Sequence, residues 1–190
     1  MNNFEVIKTP IKDLIIIQPK VFGDERGFFL ETYNKKSFEE HGLTMEFVQD
    51  NHSKSKKGVL RGLHFQTKFT QGKLVRAVKG SVYDVAVDLR KSSETYGQWY
   101  GVLLTEQKKT MFYIPEGFAH GFLALEDDTE FMYKCTDLYS LEYDSGLLWN
   151  DETINIDWRL EEFGIKEEEL TISNKDQKQA KFDKSKKYFE

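Results

Sequence analysis

Apolar and polar residues alternate along this chain in short bursts, each closed by a turn signal. Branched and aromatic residues at 14–17, 28–33, 45–51, 58–66, 73–78, 82–89, 99–104, 110–114, 118–125 and 129–136 predict strands. Pro19 ends the first of them, and Gly23 and Gly27 flank Asp24, Glu25 and Arg26 in a turn. Asn34 can cap a short helix over 35–41 that Gly42 stops. Residues 53–57 read as a polar loop, Lys79-Gly80 as a turn, and Asp127-Asp128 as the tip of a hairpin. Strands recurring roughly every 8–12 residues with turns between them predict an all-β sandwich or barrel. Beyond Asp157 the pattern turns acidic and helical, with Glu161, Glu162 and Glu167 to Glu169, and 175–187 reads as a polar outer wrap. One domain over 1–190 is expected, with a core of about 14–158 and a tail over 159–190.

The run Gly58-Val59-Leu60-Arg61-Gly62-Leu63-His64-Phe65-Gln66 departs from a plain strand. It holds two basic side chains inside an apolar stretch, and burying a cation without a partner costs roughly several kcal/mol. Such a strand lines a cavity. Strict alternation would send Arg61 and His64 to opposite faces. A bulge at Gly62 would bring both inward, so the strand is expected to deform there.

Composition narrows the function. Of 190 residues, 31% are charged and the net charge is −5, which disfavours nucleic-acid binding. Aromatic residues make up 14% and proline only three positions, which fits a β protein rather than a disordered chain. A lone cysteine, Cys135, leaves no internal disulfide or multi-cysteine zinc site. The N-terminal residues carry Asn2, Asn3, Glu5 and Lys8, and no long apolar run follows, so a cytoplasmic protein without signal peptide or membrane span is expected.

The stretch Ile114-Pro115-Glu116-Gly117-Phe118-Ala119-His120-Gly121-Phe122 has a tight turn that launches His120 onto a strand. It resembles the second motif of the cupin superfamily, whose jelly-roll barrels hold a ligand in the mouth. In metal-binding cupins the first motif supplies H-x-H plus a carboxylate, but here the corresponding stretch offers only His64, followed by Phe65 and Gln66. A two-histidine, one-carboxylate metal site is therefore not expected. Histidine, lysine and a phenol without a metal suit proton removal beside a ketone, the cation steadying the enolate.

Five further runs make the resemblance specific. They are 22–29 (FGDERGFF), 47–53 (FVQDNHS), 59–66 (VLRGLHFQ), 71–76 (QGKLVR) and Tyr133-Lys134. With the 114–122 stretch they resemble, in order and spacing from Ile15 to about Trp158, the dTDP-4-dehydrorhamnose 3,5-epimerase family. The resemblance implies a mainly all-β cupin-type jelly roll with short peripheral helices, mostly C-terminal. It implies a metal-independent, cofactor-free epimerase acting at C3 and C5 of a dTDP-linked 4-keto-6-deoxy sugar. On this resemblance His64 is the base, Tyr133 the acid on the opposite face, and Lys73 the cation at the keto oxygen. Arg61 and Arg26 hold the diphosphate, Gln49 and Asn51 bind around the nucleotide, and Glu31 and His120 complete the pocket. Phe22 and Phe29 pack on the thymine, in a neighbouring subunit's site if the chain forms the implied homodimer with exchanged N-terminal strands. Asp176, in Asn174-Lys175-Asp176, matches the aspartate that orients the histidine, with Asp84 the alternative inside the barrel. Asp144 stands where the family often has glutamate in a binding role. Tyr139 rivals Tyr133 as acid. Three other readings stay open: a single-centre 3- or 5-epimerase, a metal-dependent cupin isomerase or oxygenase, and a nucleotide-sugar binding module without catalysis.

Overall fold

The computed structural model describes residues 3–189. Six strands form one sheet: β1 (Phe4–Lys8), β2 (Ile15–Pro19), β10 (Met111–Ile114), β7 (Lys73–Lys79), β12 (Thr129–Cys135) and β5 (Gln49–Ser55), in that spatial order. The second sheet runs β13 (Asp144–Gly146), β6 (Val59–Gln66), β11 (Phe118–Ala124), β8 (Ser81–Asp88), β9 (Trp99–Thr105). A short β14 (Thr171–Ile172) adds parallel to the start of β6, while the other pairings are antiparallel. β3 (Phe22–Asp24) and β4 (Gly27–Phe29) make a separate exposed hairpin.

Alternation sorts the side chains into layers. Val75, Ala86, Phe112, Phe122 and Phe131 fill the space between the two sheets. Each of the valine and phenylalanine side chains contributes roughly 1.5–3 kcal/mol by leaving water. On the outer face of the second sheet, Leu60, Leu63, Tyr83 and Leu123 are covered by Trp149, Trp158 and Phe182 from the C-terminal third. On the outer face of the first, Phe4, Ile17 and Leu74 are covered by Phe38 of α1 (Lys35–Glu40), with Met45 and Phe47 packed against them. Asn34 caps α1, accepting from the Ser37 N–H.

Four expectations shift. The strand over 28–33 is confined to Gly27–Phe29. The strand over 45–51 begins only at Gln49 and continues through the polar 53–55, because Met45 and Phe47 are committed to covering α1's cluster. The acidic stretch after Asp157 is an extended strap whose only helical segments among the described residues are 3-10 turns at Glu167–Glu169 and Asp176–Lys178. β1, within the mixed residues 1–13, is an additional edge strand.

The deformation at Gly62 is present. His120 pairs with His64 and Phe122 with Arg61, so Gly62 and Leu63 together oppose Gly121 alone. This extra residue turns Arg61 and His64 to the same side of β6, where Arg61 stays exposed at the rim, and sends Leu60 and Leu63 to the outer cluster. Gly62 has φ +119°, and a Cβ there would lie 2.5 Å from the Gly121 Cα. Only glycine fits that conformation and that approach.

Candidate active site

Where β5 faces the β6–β13 edge, the barrel opens into a cavity of about 370 Å³. Inward positions of the two sheets supply its walls: Gln49 and Asn51 from β5, His64 and Gln66 from β6, Lys73 from β7 and Tyr133 from β12. Tyr133 lies directly opposite Asn51, and Lys73 opposite Cys135. Tyr139, Asp144 and Lys175 close one side.

The C-terminal strap delivers the group behind His64. β14 holds the strap against Val59 and Leu60, while β13 covers Gln66 to His64. In the gap between them Asp176 comes in, 3% exposed. His64 Nε2 donates to Asp176 Oδ1 at 2.6 Å, and the Gly62 N–H donates to Oδ2 at 3.3 Å. With Nε2–H fixed on the carboxylate, a neutral imidazole carries its lone pair on Nδ1. Burial works to raise the Asp176 carboxyl, but the hydrogen bond and charge of His64 and the Gly62 N–H outweigh it and hold it below the ordinary range.

Lys73 is 9% exposed and makes no hydrogen bond among the described residues. Burial lowers its ammonium, opposed by the charges of Cys135, Asp84 and Asp144. Burial raises the Tyr133 phenol, with Arg61 pulling the other way, so the hydroxyl keeps its proton at neutral pH. Lys175 forms an ion pair with Asp144, which also accepts from the Tyr139 hydroxyl at 3.1 Å. A histidine, a lysine and a phenol thus share one wall system.

Other expected positions lie elsewhere. Arg61 stands at the rim, its guanidinium held at 3.4 Å by Ser55 Oγ and the Lys54 carbonyl. Asp84 makes no hydrogen bond to His64; it accepts from His120 Nε2 at 2.9 and 3.0 Å. His120, 6% exposed, is paired across the strands with His64 and is not among the residues that line this cavity. Glu31 accepts from Asn3 and Asn34 at 3.2 and 3.0 Å, tying β1 to the helix cap outside the cavity. Arg26, Phe22 and Phe29 sit on the β3–β4 hairpin, where Arg26 pairs with Asp24 and Phe29 is 70% exposed. Within one chain the hairpin lines a concavity of its own, not this one. Gln66, Gln71 and Lys175 were not anticipated. A two-residue step from His64 points to Gln66, and adjacency to Lys73 and Asp176 points to the other two.

Among the described residues no group of three or more His, Cys, Asp or Glu is placed to hold a metal ion. Fold and site together define a small two-sheet barrel whose mouth holds a histidine–carboxylate pair, a buried lysine and a phenol. A family model described as dTDP-4-dehydrorhamnose 3,5-epimerase matches residues 8–184. The chain is 56% identical over 176 residues to the dTDP-4-dehydrorhamnose 3,5-epimerase of Methanothermobacter thermautotrophicus, covering 93% of each protein. The crystal structure of the enzyme of that name from Elizabethkingia anophelis superimposes with a TM-score of 0.89 at 49% identity, over 98% of this chain and 100% of that one. The dTDP-6-deoxy-D-glucose-3,5-epimerase of Legionella pneumophila, solved in complex with dTDP-4-keto-L-rhamnose, gives 0.88 at 48% identity over 94% and 92%. This chain belongs to the dTDP-4-dehydrorhamnose 3,5-epimerase family, and its barrel is of the cupin type.

Proposed function

We propose that this protein inverts C3 and C5 of dTDP-4-dehydro-6-deoxy-D-glucose, giving dTDP-4-dehydro-β-L-rhamnose for dTDP-L-rhamnose formation. The observation that carries the reading is the His64–Asp176 pair on the wall of a cavity that also holds Lys73 and Tyr133. His64 Nδ1 takes the proton from the carbon beside the ketone, and the C–H electron pair moves into the enolate. Asp176 orients the ring and steadies the imidazolium, as in other histidine–carboxylate pairs. The Lys73 ammonium meets the oxyanion in a site partly shielded from water. Tyr133 returns a proton from the other face, which inverts the centre. Every step is a proton transfer, so no cofactor takes part.

Gln49, Asn51, Arg61 and Asp144 bind the dTDP portion, guanidinium and amide groups suiting its anionic and carbonyl oxygens. Arg26, Phe22 and Phe29 act in a homodimer: their exposure on a protruding hairpin supports their insertion into a second copy's cavity, with N-terminal strands exchanged. The chain works as one domain in the cytoplasm, where its single cysteine stays a free thiol. Incubation with dTDP-4-dehydro-6-deoxy-D-glucose and excess chelator tests the assignment. NMR should identify a product inverted at both carbons. Inversion at one carbon makes it a single-centre epimerase, and unchanged substrate contradicts the reading.

A further inference from the structure

Three glutamines line the cavity, and each gives part of its amide to protein backbone: Gln49, Gln66 and Gln71. Gln66, 4% exposed, commits its amide entirely to the two loops at the mouth. Its Nε2 donates to the Phe69 carbonyl at 2.5 Å and to the Leu138 carbonyl at 3.2 Å. Its Oε1 accepts from the Ser140 N–H at 2.7 Å. Both donor hydrogens of the amide are thereby used. Gln71 Nε2 donates to the Asp137 carbonyl at 2.8 Å, and Gln49 Oε1 accepts from the Tyr139 N–H at 2.9 Å.

The four consecutive residues 137–140 are therefore each held by a glutamine side chain. Packing does little for this segment: Leu138 and Tyr139, and Leu141 just beyond it, are 59, 53 and 79% exposed. A loop with so little buried apolar surface opens readily unless polar bonds hold it. Of the three glutamines, Gln66 alone bonds the segment twice, and it also ties it to the 67–72 loop. In that loop Phe69 stands at φ +52°, a left-handed conformation that an aromatic residue keeps only where its surroundings impose it. Tyr139 is the member of the segment that lines the cavity, with its hydroxyl on Asp144.

We propose that Gln66 is a positioning residue: by holding segment 137–140 it sets the Tyr139 side of the cavity in place before the ligand arrives, without binding the ligand itself. The proposal rests on this cavity being the dTDP-sugar site. A segment already in place need not be ordered on binding, whereas a loosened one must be, and that ordering weakens affinity.

The test substitutes Gln66→Met, which keeps the length and removes all three bonds, and Gln66→Glu, which keeps the acceptor for Ser140 and turns a carboxylate oxygen on two carbonyls. Amide hydrogen exchange of Tyr139 is followed by NMR in 15N-labelled protein without ligand. That N–H is bonded to Gln49, which both variants keep, so it quickens only if the segment moves as a unit. It should exchange at least about tenfold faster in both variants. The Kd for dTDP should rise about tenfold, with KM following it and kcat falling by clearly less. Tyr139 exchange equal to wild type overturns the proposal. A raised Kd beside it would make Gln66 a ligand contact, and a lowered melting temperature alone would make it a support of the fold. Faster exchange with an unchanged Kd overturns the proposal as well, because the segment's position would then not matter to the ligand. If neither variant folds, wild type decides: Tyr139 and Ser140 amides protected at least about a hundredfold support the proposal, and unprotected ones overturn it. Wild type that neither binds dTDP nor turns over the keto sugar refutes the reading of the cavity, while the exchange rates, taken without ligand, judge the hold of Gln66 separately.

Discussion

Replacing Gly62 with alanine should damage the fold and the site together. The residue sits at φ +119°, a backbone region that costs an alanine about 1–3 kcal/mol. Its Cβ would meet the Gly121 Cα at 2.5 Å and the His120 carbonyl oxygen at 2.7 Å, both backbone atoms that cannot swing away. Overpacking of that kind adds about 1–3 kcal/mol, for a total of roughly 2–6. In a domain of this size that lowers the melting temperature by roughly 5–20 °C. The same change must displace the Gly62 N–H from Asp176 Oδ2 and shift the register that points His64 inward. A displacement of about 1 Å at a proton-transfer site can cost about a hundredfold in rate. The assay pairs a thermal melt with turnover of the keto sugar below the variant's melting temperature. An alanine variant that melts within about 1 °C of wild type and turns over normally would refute the reasoning, since neither the bulge nor the contact would then matter.

Tyr133→Phe should still lose the substrate's C–H proton to solvent while inversion falls at least tenfold, because His64 remains and only the opposite-face donor is gone; NMR follows both. In the native state Asp176 titrates below its ordinary value of 3.8, so its stabilising contribution is complete above that value and is lost as the pH falls through the native one. Asp176→Asn should therefore flatten that part of the melting-temperature profile, besides slowing turnover about a hundredfold or more. An unchanged acid profile would mean that the His64 contact is not holding the carboxyl down. Co-expressing Arg26→Ala with His64→Ala should restore turnover that each lacks alone, since a hybrid dimer has one intact cavity filled by one intact hairpin. Absence of rescue, with hybrids confirmed by native mass spectrometry at twice the 22.3 kDa of one chain, would place Arg26 outside the site.

The strands that alternate cleanly were legible, because an inward–outward pattern is what two packed sheets require. β8, with Val82, Asp84 and Ala86 facing inward and Tyr83, Val85 and Val87 outward, is the clearest example. The Gly62 bulge was legible for the same reason: two basic residues three apart could lie on one side of the strand only if the period broke. β1 was missed because an edge strand with only Phe4 buried leaves almost no apolar signal. The C-terminal strap read as helix because its glutamates favour one, but its course is set by distant anchors. Phe182 packs into the outer cluster, and Asp151 accepts the Phe182 N–H at 2.8 Å. Local propensity carries no trace of such contacts. Between Asp176 and Asp84 the deciding fact was where the strap threads between β13 and β14, which no spacing encodes. His120 looked like a pocket residue because its motif places it at the barrel's inner face. The sequence could not reveal that Asp84 would accept its Nε2–H.

The most direct measurement is deuterium wash-in during turnover. The protein is incubated with dTDP-4-dehydro-6-deoxy-D-glucose in D2O, and solvent deuterium at each ring carbon is read by NMR and mass spectrometry. Wild type should place deuterium at C3 and C5 and at no other ring carbon, and His64→Ala should place none above the uncatalysed background. Product formed without deuterium at either carbon, or wash-in that survives the loss of His64, would contradict proton abstraction by this histidine.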